Sequence, residues 1–290
     1  MKKLLLAAAL LLTVLASFSQ KKEKLFKGMY VQWGYNQEAY TRSNIHFVMS
    51  NGNNFILHNA KAHQQPDWDD IYKETFQVSI PQYNYRIGFY LDKAHKKSIE
   101  INFDHIKYVV TDGQTVHVTG KIDGVQVNGD SVLNPATFLH MEHTNGGNLL
   151  HVNYVQQTTL LKTKDQSRPL INFIWKFGAG INIPKTDFTW RGDRLNNEFH
   201  IAGYNISAEA GARIYPFKRI FFELTAKSGY VRYVNALVNT TETKGNRVRQ
   251  GLGYLEGIAT IVMISIFNSL IEKKYFSENR SLVVFDYRKK

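Results

Sequence analysis

The chain has 290 residues, a formal net charge of +12 and no cysteine. The lack of cysteine excludes disulfides, thiolate metal centres and a lipoprotein attachment site, and the length suffices for one large β domain or two small ones. Aromatic residues make up 13% of the chain, including 16 Tyr and 18 Phe, which is rich for a soluble domain and suits a protein anchored at membrane interfaces.

The N-terminus has three parts. Met1-Lys2-Lys3 is basic, Leu4 to Phe18 is almost uninterruptedly apolar, and Ser17 and Ser19 are small residues ahead of Gln20. This is the pattern of a secretory signal peptide over 1–19 with cleavage after Ser19. The apolar run, at about 15 residues, is shorter than the roughly 20 a membrane-spanning helix needs. Removal of the leader takes Lys2 and Lys3 with it and leaves a basic mature chain. An exported chain rarely meets nucleic acid, so anionic lipid and lipopolysaccharide headgroups are the expected partners.

Eight segments then alternate with period two, the mark of a strand with two unlike faces. Met29 to Glu38 sets Met29, Val31, Trp33 and Tyr35 against Tyr30, Gln32, Gly34, Asn36 and Glu38. Gln82 to Leu91 sets Tyr83, Tyr85, Ile87 and Phe89 against Asn84, Arg86 and Gly88. The third starts at Ser98, with Ile99, Ile101 and Phe103 opposite Glu100, Asn102 and Asp104, and is expected to run on to Val110. The fourth covers Leu149 to Leu161. The fifth, Ile171 to Ile183, sets Ile171, Phe173, Trp175, Phe177, Ala179, Ile181 and Ile183 against a side carrying Asn172, Lys176, Gly178, Gly180 and Asn182. Ile201 to Tyr215 opposes Tyr204, Ile206 and Ile214 to Glu209 and Arg213, and Ile220 to Val231 opposes Phe222, Leu224 and Ala226 to Glu223, Thr225 and Lys227. In the eighth, Leu252 to Phe267, the apolar residues Tyr254, Ile258, Val262, Ile264 and Ile266 suggest one face, interrupted by Glu256.

Short basic connections, "KAHKKS", "KTKDQSRP" and "PFKR", alternate strictly with longer ones at 37–81, 111–148, 184–200 and 238–250. That rhythm belongs to outer-membrane barrels, with short periplasmic turns and longer outside loops. In hydrocarbon a sheet must close on itself to pair its backbone groups, and a spanning strand needs roughly 9–11 residues. The fold expected is therefore all-β: an antiparallel, up-and-down transmembrane β-barrel of eight strands in the outer membrane of a Gram-negative bacterium. Ten strands is the alternative, because Ser43 to His63 alternates around an Asn-Gly turn and reads as a hairpin, either above the membrane or spanning it.

In a barrel the apolar face looks at lipid and the polar face inward. The lipid-facing belt expected is Trp33, Tyr85, Phe89, Phe173, Trp175, Phe177 and Phe222. The interior network expected is Glu38, Arg86, Glu100, Asp104, Lys176, Glu209, Arg213, Glu223 and Lys227, with both signs of charge.

The successive stretches "YVQWGYN…SNIHF", "IPQYNYRIGFYL", "SIEINFDHIKYVV" and "FLHMEHTNGGN" resemble uncharacterised outer-membrane β-barrel proteins of Bacteroidetes-type bacteria. The resemblance covers roughly Tyr30 to Phe267; it implies a small outer-membrane barrel and no reaction. The barrel is expected over 20–267, ending on the aromatic Phe267 of "MISIF". Residues 268–290 then form a C-terminal tail on the periplasmic side, unless Leu282 to Tyr287 is the true last strand.

Chemistry is sparse. His46, His58 and His63 precede Asp67, Asp69 and Asp70, and His117, His140 and His143 lie in the second long connection. None has zinc-motif spacing, and "DWDD" lacks the glycine and closing glutamate of a calcium loop. Neither metal nor cofactor is expected. "MEHTNGG" offers Glu142, His143 and Thr144 as a catalytic set near the outer rim, by analogy with lipid A acyl-hydrolases that pair a His with a nucleophilic Ser. The residue two after His143 is Asn145, and adjacent Thr144 would point to the opposite face of a strand. A Gly-Gly turn is the better reading. The function expected is a non-enzymatic structural or surface-binding role with the loops 37–81 and 111–148 displayed outside. Lipid A hydrolysis through His143 and a narrow, porin-like channel are the alternatives. Eight strands leave a lumen that side chains can fill. The chain is expected to be a monomer, meeting outer-membrane lipids, lipopolysaccharide and, during insertion, the barrel-assembly machinery.

Overall fold

The computed structural model describes residues 26–65, 82–217 and 220–264. The expected leader, Asp67, Asp69 and Asp70, Phe267 and the tail 268–290 lie outside the described residues. In chain order the strands are β1 (Gly28–Tyr40), β2 (Ser43–Val48), β3 (Asn54–Ala60), β4 (Ala62–His63), β5 (Tyr83–Tyr90), β6 (Lys97–Ile106), β7 (Val109–Val110), β8 (Thr115–Ile122) and β9 (Val125–Val132). They continue as β10 (Leu139–Glu142), β11 (Gly147–Lys162), β12 (Pro169–Pro184), β13 (Asp187–Trp190), β14 (Asp193–Asn196), β15 (Gly203–Phe217), β16 (Ile220–Leu237) and β17 (Arg247–Ile264).

Eight of these form a ring in the order β1-β5-β6-β11-β12-β15-β16-β17, closed by pairing of β1 with β17 from Tyr30↔Ile264 to Tyr40↔Tyr254. Every pairing around the ring is antiparallel. The closure removes the sheet edge, which is what lets strands cross hydrocarbon. The alternation in sequence now has a spatial meaning. Trp33, Tyr85, Phe173, Phe177 and Phe222 are exposed on the outside, and Phe89 and Trp175 lie partly exposed on the same face. The intervening residues point into the lumen and are buried. Bulk inside is matched to small neighbours: a Cβ on Gly88 would collide with the Tyr30 ring, and one on Gly178 with the Asn153 amide. The chain is an eight-stranded transmembrane β-barrel. The Ser43–His63 hairpin does not add two strands to the ring; β2 and β3 pair above it.

Two segments differ from the sequence expectation. The third strand does not run on to Val110. β6 stops at Ile106, and Val109–Val110 join a second sheet as β7. In β17 the apolar face expected to look outward looks inward: Tyr254, Glu256, Ile258 and Val262 are buried in the lumen, while Leu255 and Ile261 face out, Leu255 at 63% exposure. Glu256 therefore does not interrupt a lipid face.

The four longer connections all leave the same end of the ring, opposite the first residues of β1 and the last of β17. They do not stay loops. β17 is longer than its partner β1: below Gly253 it pairs with β1, and above it Arg247–Gln250 pair with β2. Thr41 sits at this fork. Its N–H donates to the Gly253 carbonyl at 2.9 Å and its hydroxyl accepts the Gly253 N–H at 2.9 Å. From the fork the sheet continues as β17-β2-β3-β8-β9, faced by a second sheet in the order β14-β13-β10-β7-β4. Asp123 and Gly124, both with positive φ, make the tight β8–β9 turn that such two-residue hairpins require. Between the sheets lies a buried apolar core that includes Phe47, Phe55, Leu57, Val118, Leu139, Met141, Phe188 and Val248. Phe47 stacks on Phe55 at 5.1 Å and on Phe188 at 5.6 Å. The result is a folded cap, built from parts of all four longer connections, on the open end of the barrel.

Candidate functional site

The lumen is filled in layers. At the end where β1 begins and β17 ends, Tyr30, Tyr90, Tyr215, Phe221 and Val262 form a buried cluster. The Arg213 guanidinium lies over the rings of Tyr30 at 4.6 Å and Phe221 at 4.5 Å, an attractive cation–π placement.

Above it sits a balanced ion lattice of Glu100, Glu209 and Glu223 with Arg86, Lys176 and Arg213. Glu223 is the hub. It accepts from Arg86 at 3.1 Å, Lys176 at 2.6 Å, Arg213 at 2.5 Å and the Gln32 amide at 2.9 Å. Glu209 takes Arg86 at 2.7 Å and Thr225 at 2.6 Å, and Glu100 takes Lys176 at 3.0 Å and the Tyr30 hydroxyl at 2.6 Å. These six charges come from five different strands, so the lattice ties the ring together across its bore. Removing one partner of such a group leaves its mates buried and uncompensated.

The upper layer has more carboxyl groups than cations. Asp104 and Glu256 share Lys227, which hydrogen-bonds Asp104 and reaches Glu256 at 2.9 Å. His151 lies 3.4 Å from Asp104. Glu38 and Glu256 face each other across the β1–β17 seam. Glu38 is held by Asn36 at 2.6 Å and by Gln82, and its backbone N–H donates to Gln64 of the cap at 2.7 Å. All nine charges expected inside are buried in the lumen, together with Glu256.

The cap closes the top. The Gln250 amide donates to Ser43 at 2.8 Å and to the Tyr108 hydroxyl at 2.5 Å, and the Tyr40 hydroxyl donates to the Lys107 carbonyl at 3.0 Å. Against this roof the expected catalytic set falls apart. His143 is fully buried, its ring 4.8 Å from that of Tyr233 and 5.8 Å from that of Tyr108, with Nδ1 3.1 Å from the Thr186 hydroxyl. Burial pushes its pKa down to about 4, so it is neutral at physiological pH. Glu142 faces the other way, 3.6 Å from His140. Burial raises the Glu142 carboxyl, but hydrogen bonds to His140 and Thr144 outweigh it and hold the pKa below the usual range. His140, bonded to Glu142 and to Asp112 at 2.9 Å, is raised to about 9 against the opposing effect of burial. Glu142 and Thr144 thus serve a charged pair, and His143 is a packed roof residue with no nucleophile aligned on it. The alternation of β10, buried Met141 and His143 against partly exposed His140 and Glu142, was the signal that could have said so.

On the outer face of the cap, His58 and His117 lie 5.8 Å apart on neighbouring strands. His117 is hydrogen-bonded to Asp130 and Asn128, each at 2.9 Å, His58 to Thr119 at 2.7 Å, and His46 to Asn54 at 2.6 Å. Among the described residues no group of three or more His, Asp and Glu side chains is placed to hold a metal ion. A recess of about 540 Å³ opens on the outside of the barrel wall, where Ala208, Ala210, Ala226 and Gly257 lie between Phe177 and Leu255.

No protein-family model matches the chain, and no curated protein matches it. Among solved structures the chain is similar to the outer membrane protein OprG from Pseudomonas aeruginosa, at 10% identity and TM-score 0.40 over 82% of this chain and 96% of that one. It is similar to outer membrane protein AlkL, at 9% identity and TM-score 0.38 over 85% and 95% of the two chains. It is also similar to Neisserial surface protein A, at 8% identity and TM-score 0.34 over 81% and 96%. Closed, even-stranded barrels with an apolar outer band and a polar interior belong to the outer membrane, and their short turns face the periplasm.

Proposed function

We propose that the protein is a sealed outer-membrane pedestal that presents its cap as a surface-binding platform. One observation carries the reading: all four longer connections share one apolar core, so the outside surface is rigid, while the lumen beneath is packed with an ion lattice and an aromatic base. Loops on a rigid scaffold are where binding sits. The polar outer face, with His46, His58, His117, Thr119, Lys121, Asn128 and Asp130, is the proposed contact surface. The chain is secreted through its leader, 1–19, with the barrel over 20–267 and the tail 268–290 in the periplasm. It is a monomer of the Bacteroidetes-type group its motifs resemble. Its partners are outer-membrane lipids, lipopolysaccharide at the exposed outer-rim Arg42 and Arg249, and the assembly machinery during insertion; it binds no nucleic acid. Neither hydrolysis at His143 nor conduction is part of the reading.

The chain has no cysteine, so single cysteines report sidedness cleanly. Lys121→Cys on the cap is expected to react with a membrane-impermeant maleimide on intact cells, and Lys164→Cys only after lysis. In planar bilayers the purified protein is expected to be silent. Labelling of Lys164→Cys alone on intact cells, or a steady single-channel conductance, would overturn the reading.

A further inference from the structure

The end of the barrel that carries the short turns is basic in an unusual way. Lys93, Lys96 and Lys97 surround the β5–β6 turn, and Lys162 and Lys164 the β11–β12 turn. All five are exposed, and none has an ion-pair partner among the described residues. The nearby acids are spent inside the turns themselves. Asp92 accepts the Lys97 backbone N–H at 2.8 Å, and Asp165 accepts the Ser167 hydroxyl at 2.7 Å and its N–H at 3.2 Å. Arg168 is spent as a brace, donating to the carbonyls of Tyr215 at 2.8 Å and Pro216 at 3.2 Å on the neighbouring strand.

Apolar side chains stand just inside this collar. Leu160 is 66% exposed, Leu161 50% and Phe217 65%. Two consecutive residues of a strand normally point to opposite faces. Here the register of β11 against β12 slips between Thr159 and Leu161 and again before Lys162. A bulge re-aims side chains in this way, and both leucines end up outside. Leucines at the edge of the hydrocarbon followed directly by lysines match a lipid leaflet: acyl chain, then headgroup. A polysaccharide or a soluble acidic protein would have no use for the leucines.

We infer that the lysine collar binds the anionic phospholipid headgroups of the inner leaflet, of the phosphatidylglycerol type, and anchors the barrel's lower rim there. Each lysine near an anionic membrane surface adds attraction that falls away within a Debye length. The inference rests on the membrane reading above.

The test uses the full protein in phosphatidylcholine vesicles, with trace spin-labelled phosphatidylglycerol or phosphatidylcholine. The wild type is expected to favour the phosphatidylglycerol probe on the order of three- to tenfold at low salt, and to lose that preference near about 1 M salt. Replacing Lys93, Lys96, Lys97, Lys162 and Lys164 with Gln together is expected to abolish it, whereas Lys61→Gln, at an exposed lysine on the cap, keeps it. No preference in a wild type that has inserted and is β-structured overturns the collar and leaves the barrel standing. Failure to insert counts against the barrel itself. Retention of the preference in the five-lysine variant, its loss in the Lys61→Gln variant, or a five-lysine defect seen only in co-sedimentation with peptidoglycan sacculi, also overturns the collar.

Discussion

Glu223 shows what a single lumen residue holds. Three cations and an amide converge on its carboxylate, and each is fully buried with it. Glu223→Gln keeps the shape and removes the charge, leaving Arg86, Lys176 and Arg213 to share Glu100 and Glu209. The expected cost is about 3–5 kcal/mol, read as a lower urea midpoint for the barrel in lipid vesicles. His143 provides the pH-sensitive residue. Its pKa is about 4 folded and about 6.5 unfolded. Between those values the unfolded chain binds a proton that the folded one does not, so the His143 contribution to stability falls as pH drops from about 6.5 to about 4, by about 3 kcal/mol in total, and is constant above. His143→Gln is expected to lose less stability over that window than the wild type, measured by denaturant midpoints at each pH. Most of the lumen charges were legible in the sequence because each stands among apolar alternates, as Lys176 does between Trp175 and Phe177. Glu256 was not, because its inward neighbours Tyr254, Ile258 and Val262 are as apolar as a lipid face. The interior changes character toward the roof and base, and period two alone does not say which of two apolar faces is inside.

Among the elements, β17 decides the architecture. Its lower half closes the ring and its upper half begins the cap, with Thr41 bonded to Gly253 at the division. The strand positions and the short turns were readable from local alternation, and so was the β2–β3 hairpin, through Asn51-Gly52. The sandwich above was not readable. β4, β7, β10, β13 and β14 are each two to four residues long, too short to carry a period, and apart from the local β13–β14 hairpin their pairing comes from distant segments. The same non-local pairing explains why β6 ends at Ile106: the next residues are claimed by the second sheet. The cap's core gives an element-scale test. Phe188 is fully buried and stacks on Phe47. Phe188→Ala is expected to cost about 3–5 kcal/mol and to act on the cap alone. Limited proteolysis should then cut within the cap connections while the barrel stays protease-resistant and keeps its heat-shifted gel mobility. Loss of both together would mean that cap and barrel are one cooperative unit.

At the scale of the molecule, the solvents have traded places. The core of the barrel is charged and hydrogen-bonded, its outside is apolar, and a conventional hydrophobic core appears only in the cap, where water is the surroundings again. Three regions follow along the axis: a turn end with exposed lysines and leucines, a packed bore and a cap with its own apolar core. The central claim is that the apolar side of each ring strand faces lipid. Trp175 tests it directly, since it lies on that side of β12 next to buried Lys176. In a variant keeping Trp175 as its only tryptophan, reconstituted in phosphatidylcholine with brominated acyl chains, the fluorescence is expected to be strongly quenched by the lipid and insensitive to aqueous iodide. Fluorescence untouched by brominated lipid would contradict the account.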